Sequence, residues 1–191
     1  MKEDILKIIK LKSGKELLLR RPKEEDAESM IEYLNIVGGE SDNLLFGKNE
    51  FRLTVEQERE YINNVNTNGN ALMLLGIIDN QIASVSQVSS SNRKRIAHNS
   101  ELAISVKKEY WGMGIGTAVM EELIDFAKNH DTIRTISLGV KASNKKAQHL
   151  YEKLGFEKVG VHRNFFNIDG NYDDEILMDL YLNKENLMRF N

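Results

Sequence analysis

The chain has 191 residues, 41% of them hydrophobic, with 26 basic side chains against 29 acidic ones for a net charge of −3. That length supports one hydrophobic core, and so balanced a charge gives no electrostatic footprint for nucleic acid. The absence of cysteine excludes disulfides, Cys-ligated zinc and an acyl-enzyme built on a thiol.

In chain order, residues 5–12 and 16–21 read as strands joined at Ser13-Gly14. Pro22, followed by the acidic run Glu24-Glu25-Asp26, starts a helix reaching about Val37. Residues 38–53 are irregular, and Thr54 then caps a helix to about Asn66. Residues 71–78 and 81–90 form a hairpin turning at Asp79-Asn80. Arg93-Lys94-Arg95 sits in the next turn as a solvated loop rather than a basic patch. The four histidines (His98, His130, His149 and His162) show no metal-ligand spacing, so no metal is expected. The longest apolar run, residues 71–78, falls far short of the ~20 residues a spanning helix requires. Lysines break up the apolar residues that follow Met1-Lys-Glu-Asp4, so no signal peptide is read there. These readings lead to a cytoplasmic chain with no membrane partner.

The most informative stretch follows. Glu101-Leu-Ala-Ile104-Ser105-Val106 reads as a buried strand. Two lysines and an aromatic pair lead from it into Gly112-Met113-Gly114-Ile115-Gly116-Thr117, which opens an apolar-striped helix to about Asn129. A strand running through a glycine-rich turn into a helix aims free backbone N–H groups, and the positive end of the helix dipole, at one spot. A diphosphate can be held there with few cationic side chains. Spacing separates the common versions of such a loop. Thr117-Ala118 after Gly116 is not the Lys-Ser/Thr pair of a nucleoside-triphosphate loop. Neither Thr117 nor Val119 supplies the third glycine of a dinucleotide fingerprint. What remains is a loop for the diphosphate of another cofactor, or a plain glycine-rich turn.

Residues 135–141 form the next strand, and a short helix with clear ends comes after it. Asn144 is its N-cap; Ala147, Leu150, Tyr151 and Leu154 make one apolar stripe; Gly155 suits the left-handed position past its end. Taken alone, Tyr151 is either a core aromatic or a catalyst. Residues 156–166 and 175–182 are the last strands, around a turn at Asp169-Gly170. A mostly antiparallel sheet followed by β-α-β-α-β-β is a mixed α/β fold.

With both motifs in view, the chain resembles the GNAT superfamily of acyl-CoA N-acyltransferases over roughly residues 16–182. The family's cofactor loop, Q/R-x-x-G-x-G/A, is matched by Trp111-Gly-Met-Gly114-Ile-Gly116 except at its first position, where Trp111 stands. The later motif, N-x-x-A-x-x-L-Y-x-x-x-G-F, is matched at every defined position by Asn144, Ala147, Leu150, Tyr151, Gly155 and Phe156. The resemblance implies a central twisted mixed sheet, mostly antiparallel, with one splayed parallel pair and helices on both faces. It implies a single N-acetyltransferase domain over 1–191, with its core at about 16–182 and a strand extension at 1–15. The splayed pair is the strand ending at Val106 and the strand 135–141. Acetyl-CoA, as cosubstrate, would lay its pantetheine arm along Ile104, Ser105 and Val106. Its diphosphate would rest on Trp111, Gly112, Met113, Gly114, Ile115, Gly116 and Thr117. Asn144 would contact it, act only as a cap, or do both.

Acyl transfer to an amine needs a neutral nucleophile, stabilisation of the carbonyl oxygen and a proton for the departing sulfur. Tyr151, with an ordinary pKa near 10, fits the last role, and a backbone N–H near Ser105 or Val106 fits the second. Glu101 is a candidate base, although strand alternation sends it either into an acceptor cleft or into solvent. A water relaying the proton to another carboxylate is the other route. Without cysteine, direct transfer in a ternary complex is favoured. The acceptor is a small-molecule amine or a protein or peptide N-terminus. Glu40, Asp42 and Glu50 in the irregular segment, and the acids around Asp169-Gly170 up to Glu175, either border its cleft or decorate a charged rim. Members of the family often form dimers. The alternative to an enzyme is a non-catalytic acyl-CoA-binding sensor.

Overall fold

The computed structural model describes residues 5–182. Residues 1–4 and 183–191 of the expected 1–191 domain lie outside the described residues. The strands are β1 (Ile5–Lys10), β2 (Glu16–Arg20), β3 (Ala71–Ile78), β4 (Gln81–Ser90), β5 (Asn99–Val106), β6 (Thr135–Lys141), β7 (Glu157–Ile168) and β8 (Asn171–Tyr181). The helices are α1 (Ala27–Gly38), α2 (Val55–Thr67), α3 (Ile115–Asn129) and α4 (Lys145–Lys153). The eight strands hydrogen-bond in the order β1-β2-β3-β4-β5-β6-β8-β7. β5 and β6 pair in parallel, whereas β1/β2, β2/β3, β6/β8 and β7/β8 are antiparallel. This is the mixed sheet read from the sequence.

The chain divides into two compact units, one of residues up to Gln87 with Ala103–Glu122, the other of Val88–Leu102 with residues from Leu123 onward. In the first, β3 is apolar throughout because it is buried on both faces. Ala71, Met73 and Leu75 join a core with Ala27 and Met30 of α1 and Ile62 and Val65 of α2. Leu72, Leu74 and Ile78, equally buried, point the other way. α2 begins where the sequence said: Gln57 N–H donates to Thr54 Oγ1 at 3.2 Å and Thr54 N–H donates to Gln57 Oε1 at 2.9 Å, a complete capping box. Replacing Thr54 with Ala is expected to cost about 1 kcal/mol. A thermal melt should show this as a fall of roughly 2–4 °C. The β3–β4 turn puts Asp79 and Asn80 at φ 49° and 62°, the left-handed pair of a two-residue hairpin.

In the second unit, β6 pairs with β8 from Thr135↔Tyr181 to Lys141↔Glu175 without a break. Ile136, Leu138 and Val140 alternate inward with Ile176 and Met178. On its other edge, β6 meets β5 over only Asn99↔Thr135, Ser100↔Ile136 and Glu101↔Ser137. The ladder ends there although β6 continues to Lys141. The last strand starts at Asn171 rather than near 175, because Asn171, Tyr172 and Asp173 pair with Ile168, Asn167 and Phe166. Asn and Asp are poor strand formers; the tight turn at Asp169 (φ 51°) and Gly170 (φ 84°) holds them in register all the same.

Candidate active site

The loop between β5 and α3 belongs to the first unit. Tyr110 N–H donates to Lys107 O, Trp111 N–H to Lys108 O and Met113 N–H to Tyr110 O. Gly112 and Gly114 then take φ values of 78° and 88°, which few other residues tolerate. α3 starts at Ile115, and its first intrahelical bond is Ala118 N–H to Gly114 O at 3.1 Å. Among the described residues, the N–H groups of Gly112, Gly114, Ile115, Gly116 and Thr117 therefore have no protein partner. A Cβ built on Gly112 or Gly114 would have no protein atom within 4 Å. Five free donors in six residues, beside open space at the dipole-positive end of a 15-residue helix, form a cradle for an anion. The helix is anchored by Ile115, Val119, Leu123 and Ala127, all buried, and carries Glu121, Asp125 and Lys128 outward.

Trp111 fills a role that the motif does not reveal. Its Nε1–H donates to the Val106 carbonyl at 2.7 Å, so the indole closes the loop back onto β5 while Trp111 stays 43% exposed. One of the two acceptor positions of the Val106 carbonyl is thereby taken. On β5, Ser105 Oγ donates to Val85 O at 3.3 Å and lies 3.2 Å from the buried Tyr33 hydroxyl. Burial pushes the Tyr33 hydroxyl well above its ordinary range, more than its bonds to Ser105 and Val85 lower it. Tyr33 escaped the sequence reading because it falls on the apolar stripe of α1, where a core tyrosine is the ordinary expectation. The irregular segment is held rather than free: Asn35 exchanges two hydrogen bonds with the Phe51 backbone, and a Cβ on Gly38 would lie 2.5 Å from Gly47 O. Of the acids read there, Glu40 accepts from Lys108 N–H at 2.7 Å, Glu50 accepts from Gly47 N–H at 2.7 Å, and Asp42 is exposed.

The second unit holds the other residues singled out in the sequence. Asn144 Oδ1 accepts from Ala147 N–H at 3.2 Å, which makes it the N-cap of α4 and leaves its amide group without a partner among the described residues. The end of α4 closes by Phe156 N–H donating to Tyr151 O at 3.0 Å, with Gly155 at φ 94°. That closure brings the Phe156 ring to 5.9 Å from the Tyr151 ring, which explains the fixed spacing of the two aromatics in the motif. Tyr151 is only 8% exposed, and burial pushes its hydroxyl up to about 12. The hydroxyl has no hydrogen-bond partner among the described residues. Tyr151 is thus a buried phenol that stays protonated at any working pH. Glu101 is exposed and lines an open polar cleft of about 630 Å³ with Asn99, Thr135, Ser137, Asp179 and Tyr181. Glu175, read either as bordering the acceptor cleft or as part of a charged rim, is only 8% exposed, with its Oε2 at 2.9 Å from His162 Nδ1. Its place in an alternating strand was the one available signal, and the late start assigned to β8 hid it.

Among the described residues, no helix is long and apolar enough to cross a membrane, and no group of three or more His, Asp or Glu side chains is placed to hold a metal ion.

Comparison with known proteins gives a consistent picture. The model of the acetyltransferase (GNAT) family matches residues 43–156. A crystal structure of an acetyltransferase of the GNAT family from Streptococcus pneumoniae superposes with a TM-score of 0.84 at 31% identity, over 86% of this chain and 99% of that one. The [ribosomal protein bS18]-alanine N-acetyltransferase of Escherichia coli is 38% identical over 77 residues, 40% of this chain and 51% of that protein. The chain thus spans about half the length of the curated relatives it matches. The fold is also shared, at 15% identity and a TM-score of 0.76, by yncA of Salmonella typhimurium, solved with its cofactor acetyl-CoA; the match covers 89% of this chain and 96% of that one.

Proposed function

Because the chain belongs to the acetyltransferase (GNAT) family, we propose that it moves the acetyl group of acetyl-CoA to a primary amine by direct transfer in a ternary complex. The observation that carries this reading is the row of unpartnered amides from Gly112 to Thr117, a donor set suited to a diphosphate. With Trp111 and Met113 shaping that loop, β5 at Ile104, Ser105 and Val106 offers backbone groups to the pantetheine arm, and Asn144 has an amide to spare for it. Acetyl-CoA supplies the activated acyl group; the chain's own residues bind it, orient it and move protons. Tyr151 gives its hydroxyl proton to the departing sulfur, and Glu101 meets the incoming amine from the open cleft it lines. No cysteine is available to carry the acetyl group in between. The acceptor we favour is an α-amine, of a protein N-terminus or an amino-acid-like small molecule, in keeping with what the Escherichia coli relative acetylates. The cytoplasm is the compartment assigned.

Two measurements test this. Acetyl-CoA at a hundredfold over its dissociation constant adds about 2.7 kcal/mol. In a chain of this size that raises the melting temperature by roughly 5–10 °C, whereas NAD is expected to do nothing. Thiol release and product mass are then followed with a peptide bearing a free N-terminal alanine, the same peptide N-blocked but containing lysine, and free L-amino acids. The α-amine substrates are expected to react and the blocked peptide to remain unmodified. kcat/KM should climb with pH to a plateau near the α-amine pKa of about 7.7–8.0. It should not fall again below about pH 10, because burial raises the Tyr151 pKa and so preserves its donor form. Acetylation of lysine alone, with a profile climbing through about 10.4, would overturn the acceptor class. An absent thermal shift would overturn the cofactor.

A further inference from the structure

We propose that the base that takes the acceptor's proton is the buried carboxylate of Glu175, backed by His162 as its outlet to solvent; this rests on the acetyl-transfer reading above.

The geometry begins at Gly139. It lies on β6 two residues past Ser137, where the parallel ladder with β5 has ended. A Cβ at Gly139 would fall 2.0 Å from Glu175 Oε1 and 2.6 Å from its carboxyl carbon. The Glu175 carboxylate therefore occupies the space that a side chain at 139 would fill. Gly139 itself stays exposed, so the carboxylate lies beside accessible backbone rather than deep in the core. In effect, β8 lends β6 an acid at a position where β6 has none.

Alternation places this acid relative to Tyr151. β8 pairs with β6 in unbroken register from Glu175 to Tyr181, so Glu175 and Leu180 project from opposite faces. A Cβ on Gly155, at the end of α4, would lie 3.3 Å from Leu180 Cδ1. The helix that carries Tyr151 thus packs on the face of this sheet opposite to Glu175. An acyl group set along the unpaired edge of β6 would have the phenol on one side and the carboxylate on the other. An amine approaching from the Glu175 face forms its bond while sulfur departs toward Tyr151. Glu101 shares the Glu175 face, since Glu101 is opposite Ser137, but it sits on the closed part of the ladder and is exposed.

The surroundings of Glu175 are those of a proton relay rather than of a structural ion pair. A buried carboxylate is costly unless well bonded, and among the described residues His162 is its one hydrogen-bond partner. His162 is directly opposite it on β7, with a side chain 56% exposed and stacked on Phe165 at 5.6 Å. Lys141, its register partner on β6, has its ammonium 4.0 Å from Asp173 Oδ2 and over the Phe166 ring. Asp174 accepts from Asn164 N–H at 2.8 Å. Asn164, at φ 54°, lies in the register shift between His162 and Phe166, so a bulge follows the relay histidine directly. Bulges of this kind re-aim side chains beside active sites.

The proton count closes. The acceptor ammonium gives one proton to Glu175, which passes it through His162 to water. The freed lone pair forms the C–N bond as the C–S bond breaks. Tyr151 protonates the sulfur and is restored by the second proton that nitrogen sheds. Ammonium and thioester become amide, thiol and one released proton.

Glu175→Gln is expected to lower kcat by roughly a hundredfold or more on whichever α-amine substrate the wild type turns over, with the acetyl-CoA thermal shift retained. Glu175→Gly should lose at least as much. Adding Gly139→Glu to it places a carboxylate in the vacated space from the neighbouring strand, and should recover tenfold or more. A merely structural Glu175 would not be rescued in this way. Wild-type kcat in Glu175→Gln, or a folded double variant no faster than Glu175→Gly, would overturn the assignment. Failure of the underlying reading looks different: the wild type itself would show no acetyl-CoA shift and acetylate nothing.

Discussion

Tyr151→Phe is expected to reduce kcat by about 10²–10⁴, the range over which a positioned proton donor contributes, while acetyl-CoA binding and the melting temperature hold. The variant is clean because the hydroxyl has no hydrogen-bond partner among the described residues, so removing it orphans nothing. The ring keeps its place against Phe156. Burial disfavours tyrosinate and raises the Tyr151 pKa to about 12, so the protonated donor form persists well into the alkaline range. As negative charge grows on sulfur, an undissociated hydroxyl in a poorly solvated place is the group best able to answer it. Steady-state kinetics at saturating acetyl-CoA, with a thermal-shift titration beside them, decide the matter. A kcat within about threefold of wild type would remove Tyr151 from the chemistry.

Gly114→Val should do the reverse: raise the dissociation constant for acetyl-CoA and CoA about a hundredfold and leave kcat at saturation close to wild type. Gly114 adopts φ 88°, where a side chain costs roughly 1–2 kcal/mol and a β-branched one the most. Relief of that strain turns the loop and scatters its free amides. In addition, no protein atom lies within 4 Å of the site of a new Cβ. The added bulk meets nothing in the protein and takes up space a ligand needs to reach the backbone. Isothermal titration with CoA reads the effect directly. An unchanged dissociation constant would mean that the diphosphate binds elsewhere. Together the two variants separate holding the cofactor from using it.

What the sequence made legible was whatever local chemistry alone decides. The Thr54 and Asn144 caps, the Asp79-Asn80 turn, the stripe of α3 and the bounds of β6 all follow from short-range patterns of polarity and conformational preference. The Gly112–Thr117 loop was readable as a row of free backbone donors because glycine spacing and the helix start together fix which amides stay unpaired. The illegible parts depend on pairing between distant segments. Nothing near Trp111 says that its indole will reach back to Val106, since that depends on how the turn at Lys108–Tyr110 folds. Nothing near Glu175 says that it will lie across Gly139, because that is set by the β6/β8 register. The start of β8 was missed for the same reason: Asn171–Asp173 are strand only because Phe166–Ile168 lie opposite them.

The clasp between Trp111 and Val106 has a practical consequence. It concerns the only indole in the chain. Trp111 is part exposed and its indole N–H is bonded at the mouth of the amide cradle. Indole emission responds to local polarity and to loss of its hydrogen bond, so tryptophan fluorescence, excited beyond the tyrosine band, reports one place only in this protein. If acetyl-CoA binds at the loop as proposed, its arrival is expected to change that emission, readable by stopped flow without any attached dye in every variant that keeps Trp111.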